Sequence, residues 1–216
     1  AEGNSARTSL ISSGRAQTYG ELLRLSGRVA SHLLAGRGDL GGDRVAYLVP
    51  PGIEHVSVQW GIWRAGGVAV PLAMSHPAPE LEYTIADSDA SIVVADLANA
   101  ERVRSIAEAR GARFLATDAI IAPTAHDVSL PSIAVERRAL IVYTSGTTSR
   151  PKGAVMTHAN VQAQVETLIE AWGWSTDDRI LHVLPLHHVH GIINVLTCAL
   201  WAGAACVVHP RFDKSE

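Results

Sequence analysis

Two kinds of apolar pattern alternate along this chain. Between Thr18 and Gly36, the residues Leu22, Leu25, Val29 and Leu33 recur at helical spacing. They follow Thr18-Tyr19-Gly20-Glu21, the threonine-to-glutamate order of a capping box, and Gly36 supplies a stop. Short apolar runs then predict strands at Arg44–Val49, Val68–Leu72, Ser91–Ala95, Ala112–Ala116, Ala139–Tyr143 and Gly153–Met156. Helices are predicted between them: Ile53–Ala65, with Ile53, Val56, Trp60 and Trp63 on one face, and segments near Glu80–Ala86 and Ala98–Arg110. A further amphipathic helix carries Val161, Val165, Leu168, Ile169 and Trp172 at offsets of 4, 7, 8 and 11. Thr117–Glu136, rich in Ala, Pro, Thr and Ser, is expected to be an irregular surface loop.

Short apolar strands alternating with helices predict an α/β fold with a largely parallel sheet covered by helices on both faces. One stretch could be mistaken for a membrane span, because Leu181–Pro210 contains no Asp, Glu, Lys or Arg. It does contain Pro185, Gly191, Asn194, Gly203 and four histidines besides His209, which a spanning helix of ~20 residues tolerates poorly. The stretch is expected to form a strand, a loop, a buried helix and another strand, with no membrane span.

Composition narrows the function classes. A net charge of -3, a pI near 6.4 and the lack of any Lys/Arg run give no reason to expect a nucleic-acid partner. The two cysteines, Cys198 and Cys206, lie in an apolar stretch and are read as buried thiols of a reducing compartment, hence a cytoplasmic protein. Ala1–Ser9 lacks the apolar core of a signal peptide, and the absence of an initiating Met leaves room for an organellar targeting segment.

The most informative run is Tyr143-Thr144-Ser145-Gly146-Thr147-Thr148-Ser149-Arg150-Pro151-Lys152-Gly153. A strand delivers the chain to a loop with hydroxyl side chains, glycines that admit close backbone approach, and the point charge of Lys152. These groups are donors for phosphate oxygens. The order is not that of the usual P-loop, because Pro151 and Gly153 stand where that motif needs Gly and Ser/Thr. By composition alone, a solvated Ser/Thr-rich turn fits as well.

The order of residues resembles the signature loop of the adenylate-forming superfamily (acyl-CoA synthetases, luciferases and peptide-synthetase adenylation domains), Thr-Ser-Gly-Thr-Thr-Gly-x-Pro-Lys-Gly. Ser149 departs from it, standing where the family has Gly; a position needing positive φ would be strained there. Thr18–Glu21 resembles the family's first core motif and Arg64–Leu72 its second. The resemblance implies stacked sheets carrying helices, and the chain is expected to be the amino-terminal part, residues 1–216, of the family's large domain. The later motifs, the hinge and the small carboxy-terminal domain with its lysine are not in this sequence. As a fragment, the chain is expected to be inactive alone.

Leu184-Pro185-Leu186-His187-His188-Val189-His190-Gly191 is the second informative run. Four histidines between positions 182 and 190 raise zinc binding, but no Asp, Glu or Cys joins them in that window, so no metal site is assigned. His182, on the predicted strand, is read as a buried, hydrogen-bonded histidine. For the others the resemblance offers a role: His188 matches the family histidine beside the acyl pocket, and the full run is most similar to malonyl-CoA synthetases. That implies His188, His190 and Gly191 border the acid.

The implied reaction joins a small carboxylic acid, malonate or methylmalonate, to coenzyme A, with ATP and Mg2+. Thr144, Ser145, Gly146, Thr147, Thr148 and Lys152 would cradle phosphates, and Lys152 and His188 would be catalytic. The alternatives are a fatty or aryl acyl-CoA ligase or an amino-acid adenylation domain of the same superfamily, a non-catalytic nucleotide-binding fragment, and a zinc-binding domain.

Overall fold

The computed structural model describes residues 5–123, 129–144, 150–209 and 212. The chain opens with a hairpin that the apolar pattern does not announce, β1 (Thr8–Ser12) and β2 (Arg15–Thr18). Its two-residue turn is Ser13-Gly14, with φ of 50° and 73°, the left-handed pair that matches the twist of a tight hairpin. Thr18 then caps α1 (Tyr19–Leu34) as expected. Its hydroxyl accepts from the Glu21 N–H at 3.2 Å, and the Glu21 carboxylate accepts from the Thr18 N–H at 2.8 Å. The helix ends one residue before the expected stop, on Ala35 at φ 47°.

There follow β3 (Arg44–Leu48), α2 (Ile53–Arg64), β4 (Val68–Pro71), α3 (Ala78–Asp87), β5 (Ile92–Ala95), α4 (Ala100–Ala109), β6 (Arg113–Ala116) and α5 (Thr117–Ile121). The second half holds β7 (Arg138–Thr144), β8 (Lys152–Thr157), α6 (His158–Trp172), β9 (Arg179–His182), a π-helical segment (His190–Thr197) continuing into α7 (Cys198–Ala202), and β10 (Ala205–Val208). The α/β class is as predicted, with a correction at α5. Thr117 and Ile120 are buried where a surface loop was expected, and α5 packs on α1. Ile121 also packs on the core and its carbonyl accepts from Arg28, contacts from distant segments that composition does not reveal.

Among the described residues, two sheets form where the residue pattern alone suggests one. The larger has the order β6-β5-β3-β4-β7-β8 and is parallel except for the β7–β8 edge pair. The smaller has the order β2-β1-β10-β9 and is parallel except for the first hairpin. Its central pairing, Leu10 opposite Cys206, joins the two ends of the chain, which no local periodicity can reveal.

Strand alternation divides the core. Val45, Tyr47, Val94 and Val142 face one apolar cluster, shared with α1, α2, α7 and the smaller sheet. Ala46, Leu48, Val70 and Val93 face a second, covered by α3 and α4. α1 and α2 thus lie between the sheets. α6 is only half covered: Val161 and Val165 are buried, while Trp172 is 53% exposed.

Arg137 locks the turn between α2 and β4 to the start of β7. It pairs with both carboxylate oxygens of Asp39 at 2.6 and 2.9 Å and donates to the Gly66 carbonyl at 2.6 Å. Gly66 has φ of 80° and no room for a Cβ against Asp39, so glycine is required there. Cys198 and Cys206 are free and buried, and burial pushes their thiols up to about 11 and about 12. Among the described residues, no helix is long and apolar enough to cross a membrane.

Candidate active site

β7 runs out at Thr144 and β8 begins at Lys152, and these two are cross-strand partners. Both side chains are exposed. Ser145, Gly146, Thr147, Thr148 and Ser149 lie outside the described residues, so what the structure gives is the frame that presents them. That frame is fastened to α3. The Tyr143 hydroxyl donates to Asp87 Oδ2 at 2.7 Å, and the Tyr83 hydroxyl donates to the Pro151 carbonyl at 2.9 Å. The two phenol rings meet edge to face, 6.4 Å between centroids, and the Arg150 guanidinium lies 5.7 Å over the Tyr83 ring. Burial, helped by the Asp87 carboxylate, holds the Tyr143 phenol well above its ordinary range, so it remains a donor.

The histidine run follows β9. His182 is buried, as expected, and its Nε2–H donates to the Gly191 carbonyl at 2.9 Å. His187 is half-buried, its ring 4.1 Å from that of His188 and 6.0 Å from that of His76. Burial first, then the neighbouring His188 and His76, pushes its pKa down to about 4, which leaves it neutral at pH 7. His188 and His190 are exposed. The Asn194 amide donates to His190 Nδ1 at 3.3 Å and itself accepts from Gln164 at 2.6 Å. Gly191 is buried with the Pro185 carbonyl against it, leaving no space for a Cβ. Among the described residues, no group of three His, Cys, Asp or Glu is placed to hold a metal ion.

One short segment joins the two halves. His76, on the connection from β4 to α3, touches His187 and lies 3.5 Å from Glu80. Its carbonyl is held by Arg102 at 2.7 Å. Seven residues on, Tyr83 grips the hairpin. Residues 76–87 therefore contact the histidine tract at one end and the phosphate-loop frame at the other, beside the carboxyl ends of β4 and β7 where ligands of parallel sheets bind. His76, Tyr83 and Asp87 carry no local signal in the sequence; their importance comes from packing between distant segments.

This architecture and its paired loops define a class. The chain belongs to the AMP-binding enzyme family, which matches residues 1–216. Among individual proteins, it is 41% identical over 221 residues to the human protein named Malonate–CoA ligase ACSF3, mitochondrial, covering 97% of this chain and 38% of that one. The crystal structure of apo MatB from Rhodopseudomonas palustris superimposes with a TM-score of 0.88 at 30% identity, over 97% of this chain and 43% of that one. ATP-bound MatB from the same organism gives 0.86 at 32%, over 95% and 42%. The chain thus spans about two fifths of the length of these relatives.

Proposed function

We propose that residues 1–216 are the amino-terminal part of the large domain of an ATP-dependent acid–thiol ligase that acts on malonate or methylmalonate. The observation that carries the proposal is the convergence on residues 76–87 of the phosphate-loop frame and the histidine tract. The names of the human relative and of ATP-bound MatB support the acid, the thiol and the nucleotide. In the first step, a carboxylate oxygen of the acid attacks the α-phosphorus of ATP, and pyrophosphate leaves with its electron pair. In the second, the coenzyme A thiolate attacks the acyl carbon and AMP leaves. Thr144, Ser145, Gly146, Thr147, Thr148 and Lys152 would hold the β- and γ-phosphates, with Lys152 neutralising developing charge. Mg2+ would arrive on the nucleotide as part of the substrate. His188 and His190, at the mouth of the π-helical segment, would donate to the acid, and Gly191 would let the loop turn past Pro185.

Pyrophosphate exchange by the protein expressed from the intact gene tests the reading, with malonate, methylmalonate, acetate, octanoate and a benzoate compared. Malonate-dependent exchange is expected, and His188→Ala should raise KM for malonate far more than KM for ATP. Exchange with octanoate or benzoate alone would replace the substrate class, and none with any acid would defeat the ligase assignment.

A further inference from the structure

The geometry points to His182 as a positioning residue for the acid-facing histidines, although it touches no substrate itself. This rests on the proposed acid pocket and deepens it. His187 and His188 sit on the connection between β9 and the π-helical segment, and His190 is the first residue of that segment. His182 ends the strand before that connection, and its side chain donates across nine residues to the carbonyl of Gly191, just after it. The backbone of His182 is fixed independently, because its carbonyl accepts from the His209 N–H at 2.9 Å on the β10 side. The His182–Gly191 bond therefore ties the connection to the rigid smaller sheet at both ends.

Within that closed loop the remaining contacts are consecutive. The His188 N–H approaches the Pro185 carbonyl at 3.4 Å, and the His188 carbonyl accepts from the Ile192 N–H at 3.0 Å. Pro185 also packs against Gly191. A shift of Gly191 would thus be passed through Pro185 to His188. His182 is poorly suited to the alternative of simple core filling. Among the described residues its buried Nδ1 has no hydrogen-bond partner, a cost that an apolar side chain of similar size would avoid. Burial favours the neutral ring, and the Gly191 carbonyl, which can only accept, sets the proton on Nε2.

The test is acid-dependent pyrophosphate exchange by the intact-gene protein, with malonate and ATP each varied. His182→Leu should raise KM for malonate about tenfold while KM for ATP stays within about twofold, the pattern of a lost contact on one substrate. His182→Gln, whose amide N–H can reach the same carbonyl, should recover most of the loss. An unchanged malonate KM in His182→Leu, equal rises for both substrates, or a glutamine variant no better than leucine would overturn the inference. Should the leucine variant fail to fold, His182→Asn takes its place, since its shorter amide does not reach Gly191; equality of Asn and Gln would then overturn it. His188→Ala separates the two levels. If it leaves the malonate KM unchanged, or no acid supports exchange, the acid-pocket reading falls and this inference with it. If His188→Ala raises the malonate KM and His182→Leu does not, the positioning role alone fails.

Discussion

The two loops that flank residues 76–87 are built on opposite plans. The phosphate-loop frame is an exposed edge: β8 is the outermost strand of its sheet, Val155 on it is 52% exposed, and Lys152 and Thr144 face solvent. Its base is β7, paired with β4, and its outer end is held to α3 through two phenol hydroxyls. The histidine loop is the reverse, tied at its base by a buried imidazole and closed around Gly191. The difference follows from the ligands proposed for each. A polyphosphate carries enough charge to draw hydroxyls and a lysine into place, so the frame that presents them can stand exposed. A small acid offers few atoms, so the groups that read it must be set beforehand. If so, changes on the hairpin should alter chemistry with little effect on stability, and changes around the histidines should alter both.

Lys152→Ala tests the first half and should give the largest effect. Removing the charge proposed to neutralise the departing pyrophosphate is expected to slow malonate-dependent pyrophosphate exchange by ~100-fold or more in the intact-gene protein. Because Lys152 is exposed at the start of an edge strand, stability should stay within about 0.5 kcal/mol of the parent by urea unfolding. Near-parental exchange would remove Lys152 from the site, and a large stability loss would contradict the exposed-edge description.

The second half predicts an acid sensitivity centred on the histidines. His55 is buried behind the loop, its Nδ1–H on the Val49 carbonyl at 2.9 Å and its ring 5.0 Å from that of Tyr47. Burial, opposed by that bond and reinforced by His182 and His187, pushes its pKa from 6.5 down to about 4. A depressed folded-state pKa means that the unfolded chain takes up the proton first as pH falls. The stabilisation is therefore complete above about 6.5 and is lost progressively down to about 4. For His55 alone the loss is roughly 3 kcal/mol across that window. Urea unfolding at pH 7, 6, 5 and 4.5 should show the decline, and His55→Leu should flatten it. An equally steep decline in that variant would shift the cause to other groups.

How much of this could be read from the sequence differs between the loops in the same way. The strand–helix alternation and the Thr18 cap are local patterns, and each lies where periodicity or residue order put it. The first hairpin was available in the Ser13-Gly14 pair but lacked an apolar run, since β2 is Arg-Ala-Gln-Thr. The division into two sheets was hidden because β1 pairs with β10 across almost the whole chain. In the candidate site, the hydroxyls and Lys152 stand out by composition. His76, Tyr83 and Asp87 do not, because each gains its role from a partner that folding brings from a distant segment. The burial of His182 was legible from its place on an apolar strand; the bond to Gly191 was not.

Tyr83→Phe should have the smallest effect and separates the loops most finely. Phenylalanine keeps the ring that meets Tyr143 and underlies Arg150, so only the hydroxyl bond to the Pro151 carbonyl is lost. The ring is partly exposed, so water can replace the lost donor, and the cost should be about 1 kcal/mol. The proposed cradle runs from Thr144 to Thr148, two residues before Arg150, and resumes at Lys152, one after Pro151, so the loosened carbonyl lies between its two parts. KM for ATP should rise about two- to fivefold, within what a bond of that size can supply, while KM for malonate stays constant. Constancy is expected because His76, which meets the histidine tract, is held separately by Arg102 and does not depend on the Tyr83 hydroxyl. Equal rises in both constants would mean that residues 76–87 couple the two loops as one rigid piece, and the contrast between an exposed frame and a preset pocket would no longer hold.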